Sequence, residues 1–210
     1  MSPTVVERIR ESTRGRHEEL EATAFSAAML AGTLPLDRYV GQLAAYRTVL
    51  AALEGELSRA TGPCLASVWS ADLVKIPLID RDLMHFAGDG VFPAAFAAEP
   101  AAAFAGEIRA AAASDPLALL GFLYVLEGST LGGMILRRYV TEAYGLSGTD
   151  GVAYYAAGDR ERWAGFTARL NGALPGPEEQ EGVIAAAGRA YDHVAAISQA
   201  LSTGLVATAA

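Results

Sequence analysis

Leu117–Leu136 reads LALLGFLYVLEGSTLGGMIL. The stretch is too long and too evenly apolar for a strand, and it lacks period-2 alternation, so it predicts a helix. Four glycines nevertheless lie inside it: Gly121, Gly128, Gly132 and Gly133. A glycine in a helix interior costs about 1 kcal/mol relative to alanine. In a chain this rich in alanine, that choice calls for a reason. A helix turns by about 100° per residue, which puts Gly128 and Gly132 within about 20° of Gly121, one on either side. The three form a smooth strip where a partner can approach the backbone closely. Two partners fit such a strip: a second helix, packed through small residues, or a flat ligand.

The pattern outward from this stretch is helical almost throughout. Ser2-Pro3 reads as an N-cap followed by proline at the first helical position, opening a helix to about Glu21. Phe25–Ala31 is a short segment closed by Gly32, and Leu36–Ala60 is long and amphipathic, with Tyr39, Leu43, Tyr46, Val49, Leu50, Leu53 and Leu57 as its apolar stripe. Residues 65–87 predict one or two short helices broken near Pro77. An alanine-rich helix follows Pro100, and Asp115-Pro116 repeats the cap-plus-proline start ahead of the glycine-bearing helix. A loop is expected at 145–151, a helix over Asp159–Leu174, a break at Pro175-Gly176-Pro177 and a last helix over Glu178–Leu201. With no internal repeat and no dividing linker, residues 1–210 are read as one all-α domain, a bundle of about eight helices.

The net charge of −8 argues against a nucleic-acid partner. One cysteine, Cys64, excludes an internal disulfide and a cysteine-rich metal site, and fits a reducing cytoplasm. The charged N-terminus is unlike a signal peptide. The strongest apolar run, Leu117–Leu126, is short for a bilayer span and suits a buried helix, so no membrane partner is expected.

Of three histidines, His17 has the most telling setting. Arg10, His17 and Glu21 fall on one narrow arc of the first helix. Glu21, one turn on, can fix one ring nitrogen of a metal-binding histidine, and Arg10 can meet an acidic ligand edge. The same residues also suit a solvated face with i,i+4 pairs. His85 and His193 read as structural. No His-x-x-x-His, Glu-x-x-His or Cys-x-x-Cys pairing supports a multi-ligand metal site. A single protein ligand suits a metal whose other positions belong to a macrocycle, which is haem. Arg137-Arg138, just past the glycines, adds positive charge that can meet carboxylates of such a ring or an acidic redox partner.

Thr13-Arg14-x-x-His17-x-x-x-Glu21 resembles the proximal-histidine helix of haem oxygenases. Tyr124-Val125-Leu126-Glu127-Gly128-Ser129-Thr130-Leu131-Gly132-Gly133 is similar to their distal glycine-rich helix in its bacterial form, and Trp163–Leu174 follows in the expected order. The resemblance covers about residues 5–202. It implies a haem-oxygenase-like fold in which haem is both cofactor and substrate and is opened to biliverdin with release of CO and Fe²⁺. It also implies O₂, and electrons from an external reductase or ferredoxin; the product can serve iron release or supply a bilin-accepting photoreceptor. Carried over residue by residue, His17 is the axial iron ligand through Nε2, Glu21 orients it, and Arg10 holds a propionate. Gly128 and Gly132 line the oxygen side. Gly133, Val125, Arg137 and Phe166 complete the haem surround. Ser129 stands where animal members carry aspartate, and is expected to organise water instead. Trp163 and Thr167 stand where animal members carry basic residues, which leaves the anchoring of the haem edge open.

Overall fold

A capping box starts the first helix. The Thr4 side chain accepts from the Glu7 N–H while the Glu7 carboxylate accepts from the Thr4 N–H at 2.8 Å. The start therefore falls on Thr4 rather than on Ser2-Pro3, and Ser2 itself lies outside the described residues. The computed structural model describes residues 3–174 and 176–205, so the expected break at Pro175 is also outside them. Ten α-helices follow one another: α1 Val5–Glu21, α2 Ala24–Leu30, α3 Leu36–Arg59, α4 Pro63–Val68, α5 Ile76–Gly88, α6 Ala98–Ser114, α7 Ala118–Tyr144, α8 Ala153–Ala156, α9 Arg160–Ala173 and α10 Pro177–Ser202. Two short 3₁₀ turns, Ala71–Leu73 and Ala95–Ala97, precede α5 and α6. No strand occurs among the described residues.

Several predicted boundaries shift for local reasons. Pro77 sits in the first turn of α5 and starts that helix instead of breaking one. Asp115 gives no side-chain cap, and α7 begins at Ala118 after a turn in which the Ala118 N–H bonds the Asp115 carbonyl. The four-residue α8 has no counterpart in the expected eight helices. It is too short to show a period, and its cap comes from afar: Asp82 of α5, fully buried, accepts from the Ala153 and Tyr154 N–H groups at 2.7 and 2.8 Å.

α7 runs through the middle of the bundle. It is long and apolar enough by composition to cross a membrane, with mean hydropathy 1.6, but 61% of that window is buried inside the bundle. Its apolar residues are used by the protein core, where Leu119, Leu120, Phe122 and Leu126 are almost fully covered. α10 packs along α7 and α1, while α3 lies against α5 and α6. One contiguous core joins Ile9 of α1, Tyr39 and Leu53 of α3, Phe104 of α6, Phe166 of α9 and Ile197 of α10.

The glycine strip divides between both partners that the sequence allows. A Cβ on Gly121 would stand 2.3 Å from the Val183 carbonyl oxygen and 2.7 Å from the Ala187 nitrogen, so here the backbone of α10 occupies the strip. A Cβ on Gly132, three turns on, would meet nothing within 4 Å. Gly128 lies between them and faces the Trp163 ring at 3.3 Å. α10 covers one end of the strip and leaves the other open.

Candidate active site

The open end of the strip forms one wall of a cleft of about 570 Å³ between α1 and α7, within the range of cofactor-sized sites. From α1 come Arg10, Thr13, Arg14, His17, Glu18 and Glu21; from α7 come Tyr124, Val125, Gly128, Ser129, Leu131 and Gly132. Tyr46 of α3, Trp163 of α9 and Tyr191 and Val194 of α10 close the remaining sides. His17 and Gly132, distant in sequence, thus line one space.

On the α1 wall, His17 is half exposed at 52% and points Nδ1 toward Glu21 Oε2 at 3.6 Å. The Tyr191 ring meets the imidazole edge-on, with centroids 5.9 Å apart. Glu21 and Tyr191 set the ring plane from two sides. Nε2 makes no hydrogen bond to any described residue, so a lone pair there is available to a ligand.

The phenols of the cleft hold their protons. Burial pushes Tyr191 up to about 12, reinforced by Tyr124 and Glu21. Burial raises Tyr46 to about 12 as well, partly offset by its hydrogen bond with Gln42. Tyr124 is raised by burial, and the Arg10 guanidinium pulls it part of the way back. At neutral pH these groups act as hydrogen-bond donors and apolar faces, not anions. The cations lining the cleft, Arg10 and Arg14, both belong to α1.

Behind Gly128 lies an ion network that the sequence analysis did not identify. Glu127, 3% exposed, pairs with Lys75 at 2.7 Å and with the Arg162 Nε at 2.8 Å. Lys75 also donates through Nζ to the Leu73 carbonyl and through its backbone N–H to Glu54 Oε1, both within 2.8 Å. Arg162 reaches the Ala157 carbonyl at 2.5 Å. Burial lowers the Lys75 ammonium and Glu127 opposes that effect. The network joins α3, α5, α7 and α9 and fixes the start of α9, which brings Trp163 against Gly128. A glutamate following the apolar run Leu117–Leu126 was the available signal, because a carboxylate there needs a cationic partner.

Seven of the predicted site residues line the cleft: Arg10, His17, Glu21, Val125, Gly128, Ser129 and Gly132. Three do not. Gly133 is one residue, and so about 100°, past Gly132; it is buried, and a Cβ there would meet the Tyr155 backbone at 3.3 Å. Gly133 admits α8, not a ligand. Arg137 turns to the 145–151 loop and donates to the Gly148 carbonyl at 2.9 Å. Phe166 is fully buried and supports Trp163 from behind at 5.6 Å between centroids, leaving Trp163 to face the cleft. Thr167 bonds the Trp163 carbonyl within its own helix. Tyr46 and Tyr191 also line the cleft; sequence reasoning placed Tyr46 in an apolar helix stripe and gave Tyr191 no role, since single tyrosines on amphipathic helices carry no signal that separates core from cleft. His193 lies between α6 and α10, paired with Glu107 at 2.5 Å and stacked on Phe104 at 4.7 Å, and His85 stands 3.9 Å from Asp89. Among the described residues no three His, Cys, Asp or Glu side chains are grouped as a metal-ion site.

An all-α bundle with a single histidine facing a glycine-bearing helix across an open cleft defines the class. The family model described as "Heme oxygenase" matches residues 4–200. The chain belongs to the haem oxygenase family. Its curated relatives include heme oxygenase 1 of Nostoc sp., 23% identical over 83% of this chain and 74% of that one. Heme oxygenase of Takifugu rubripes is 27% identical over 71% of this chain; the match spans about half, 55%, of the longer fish protein. Among solved structures, heme oxygenase-1 of the cyanobacterium Synechocystis in complex with heme superposes with a TM-score of 0.86 at 22% identity, over 97% of this chain and 94% of that one. Heme oxygenase of Leptospira interrogans gives 0.83 at 22% identity, over 94% and 99%.

Proposed function

We propose that the chain is a cytoplasmic, single-domain haem oxygenase that opens haem to biliverdin, CO and Fe²⁺ with O₂ and electrons from an external reductase or ferredoxin. The observation that carries this reading is the opposition of His17 and Gly132 across one cleft. His17 offers an unbonded Nε2 on one side, and Gly132 presents bare backbone with open space on the other. That combination suits a planar macrocycle that would take one protein ligand from His17 and lie against the glycines.

Bound haem supplies the redox iron and the carbon skeleton that is oxidised. The chain's own residues hold and orient it. His17 would hold the iron through Nε2, and Glu21, 3.6 Å from Nδ1, would keep that nitrogen as N–H and so raise the basicity of the ligand. Arg10 and Arg14 place two cations at the α1 edge, which suits the propionate-bearing side of the ring. Trp163 takes the α9 side with an aromatic face, so the opposite edge meets an apolar wall. Val125, Leu131 and Val194 exclude water from the middle of the cleft. Gly128 and Gly132 admit a small ligand next to backbone, and Ser129 places a hydroxyl there to hold water.

The test is an absorption titration of the purified protein with hemin, followed by ascorbate in air. A saturable one-to-one Soret band that bleaches as a biliverdin band grows supports the enzyme. A Soret band that persists with ascorbate and with a reductase system moves the reading to a haem sensor or carrier. The lack of any Soret change rejects it.

A further inference from the structure

A buried hydroxyl that the haem reading leaves unused sits directly behind Ser129. Tyr154, the second residue of α8, is 1% exposed and brings its phenol oxygen to 3.3 Å from Ser129 Oγ. Ser129 has one proton and two lone pairs to dispose of. It donates that proton to the Leu126 carbonyl of its own helix at 2.7 Å. The phenol has no other hydrogen-bond partner among the described residues, and a buried phenol must donate. The bond therefore runs from Tyr154 to Ser129. One Ser129 lone pair is left.

The position of Tyr154 is built, not incidental. Asp82, fully buried on α5, accepts from its backbone N–H at 2.8 Å and from that of Ala153 at 2.7 Å. Gly133 lets the α8 backbone approach α7 within contact of a missing Cβ. Tyr46 meets the Tyr154 ring edge-on at 6.0 Å. Burial raises the phenol far above its ordinary range, so it keeps its proton at any working pH. Ser129 also lines a smaller pocket of about 140 Å³ that adjoins the cleft and shares His17, Glu21 and Gly132 with it. Its lining is largely apolar, with Phe25, Met29 and Leu136, and Gln42, Tyr46, Tyr155 and Ser198 set polar groups among them where water can be held.

We propose that Tyr154 is the positioning residue for Ser129: by donating to it, Tyr154 leaves Ser129 a single acceptor, which holds one water of the adjoining pocket in one orientation at the cleft. That water keeps its second O–H for an anionic ligand on the Gly132 side of the haem. The proposal rests on the haem reading of the cleft, and goes beyond it by naming what directs the serine.

Ferric hemin complexes of the wild type, Tyr154→Phe, Ser129→Ala and the double variant test it by fluoride titration followed in the absorption spectrum. Fluoride on ferric iron accepts a hydrogen bond from an oriented water and needs no turnover. Each single variant is expected to weaken fluoride binding about fivefold, the worth of one net hydrogen bond. The double variant is expected to lose about the same fivefold and not about 25-fold, because both act through one water. Hemin affinity of Tyr154→Phe is expected to stay within about twofold, since Tyr154 does not line the cleft. 3-Fluorotyrosine at position 154, a stronger donor of similar size, is expected to tighten fluoride binding, which keeps the test open if Tyr154→Phe folds poorly. Wild-type fluoride affinity in Tyr154→Phe, or losses that multiply in the double variant, would overturn the assignment of Tyr154. Failure of the wild type to bind hemin would overturn the haem reading and this inference together.

Discussion

The same substitution at two glycines of one helix is expected to have opposite signs. In Gly121→Ala the new Cβ would lie 2.3 Å from the Val183 carbonyl oxygen, 2.7 Å from the Ala187 nitrogen and 2.8 Å from the Ala186 Cβ. Two of these are backbone atoms of α10, which cannot rotate away, so α7 and α10 must separate along the middle of the bundle. Overpacking of this kind costs about 1–3 kcal/mol or more, against which alanine returns at most about 1 kcal/mol of helix propensity. For a chain of this size 1 kcal/mol corresponds to about 2–4 °C, so a net loss of about 2 kcal/mol lowers Tm by about 4–8 °C. Gly132→Ala meets nothing within 4 Å. It keeps the propensity gain of about 0.5–1 kcal/mol and raises Tm by about 1–4 °C. Differential scanning calorimetry of the apoproteins measures both. If Gly121→Ala melts at or above the wild type, or the two variants shift in the same direction, the division of the glycine strip into a packed and an open half is wrong.

Other outcomes follow from the same geometry. His17→Ala is expected to abolish the nitrogen-ligated hemin spectrum while shifting Tm by no more than about 2 °C, because exposed substitutions cost within about 0.5 kcal/mol; unchanged hemin spectra would remove His17 from the site. Gly132→Leu fills the open space above the cleft and is expected to weaken hemin binding at least about tenfold, one step of 1.4 kcal/mol, in a Soret titration. Glu127→Ala leaves Lys75 and Arg162 without their shared carboxylate and is expected to cost about 3–5 kcal/mol in chemical denaturation. Glu107 is raised by burial but lowered more by its hydrogen bonds to Arg189 and His193, so its net shift is below 4.5. A depressed carboxylate stabilises the fold above its unfolded value and loses that contribution as pH falls through the folded one. The Tm advantage of the wild type over Glu107→Gln is therefore expected above pH 4.5 and should shrink in more acidic buffer; an advantage that grows there would reverse the assigned sign.

Much of this site was legible along the chain because its parts are local. The i,i+4 spacing of His17 and Glu21 fixes their proximity on any helix, and α1 places them 3.6 Å apart. Arg10 shares their arc for the same reason. Val125, Gly128, Ser129 and Gly132 span two turns of α7 and line the cleft together. The expectations that failed were those that extended the site along a helix, from Gly132 to Gly133 and Arg137, or to Phe166 in α9, without asking which way the helix turns. Gly133 and Arg137 follow Gly132 closely in sequence, but point respectively at α8 and at the Gly148 carbonyl. Phe166 sits in the right helix and on its buried side.

By itself the sequence determined the all-α class, the helix that carries His17, the glycine strip on one face of α7 and membership in a haem-binding pattern. These depend on helical periodicity and on residue chemistry, which act over a few turns. Tertiary structure decided which half of the strip α10 covers, since that depends on where two helices cross. It also decided that Lys75 and Arg162 neutralise Glu127, that Trp163 rather than Phe166 faces the cleft, and that Asp82 caps α8 so that Tyr154 reaches Ser129. Each of these joins residues tens of positions apart. Long-range pairing of this kind is set by how the helices pack around a shared core, and no local period encodes it.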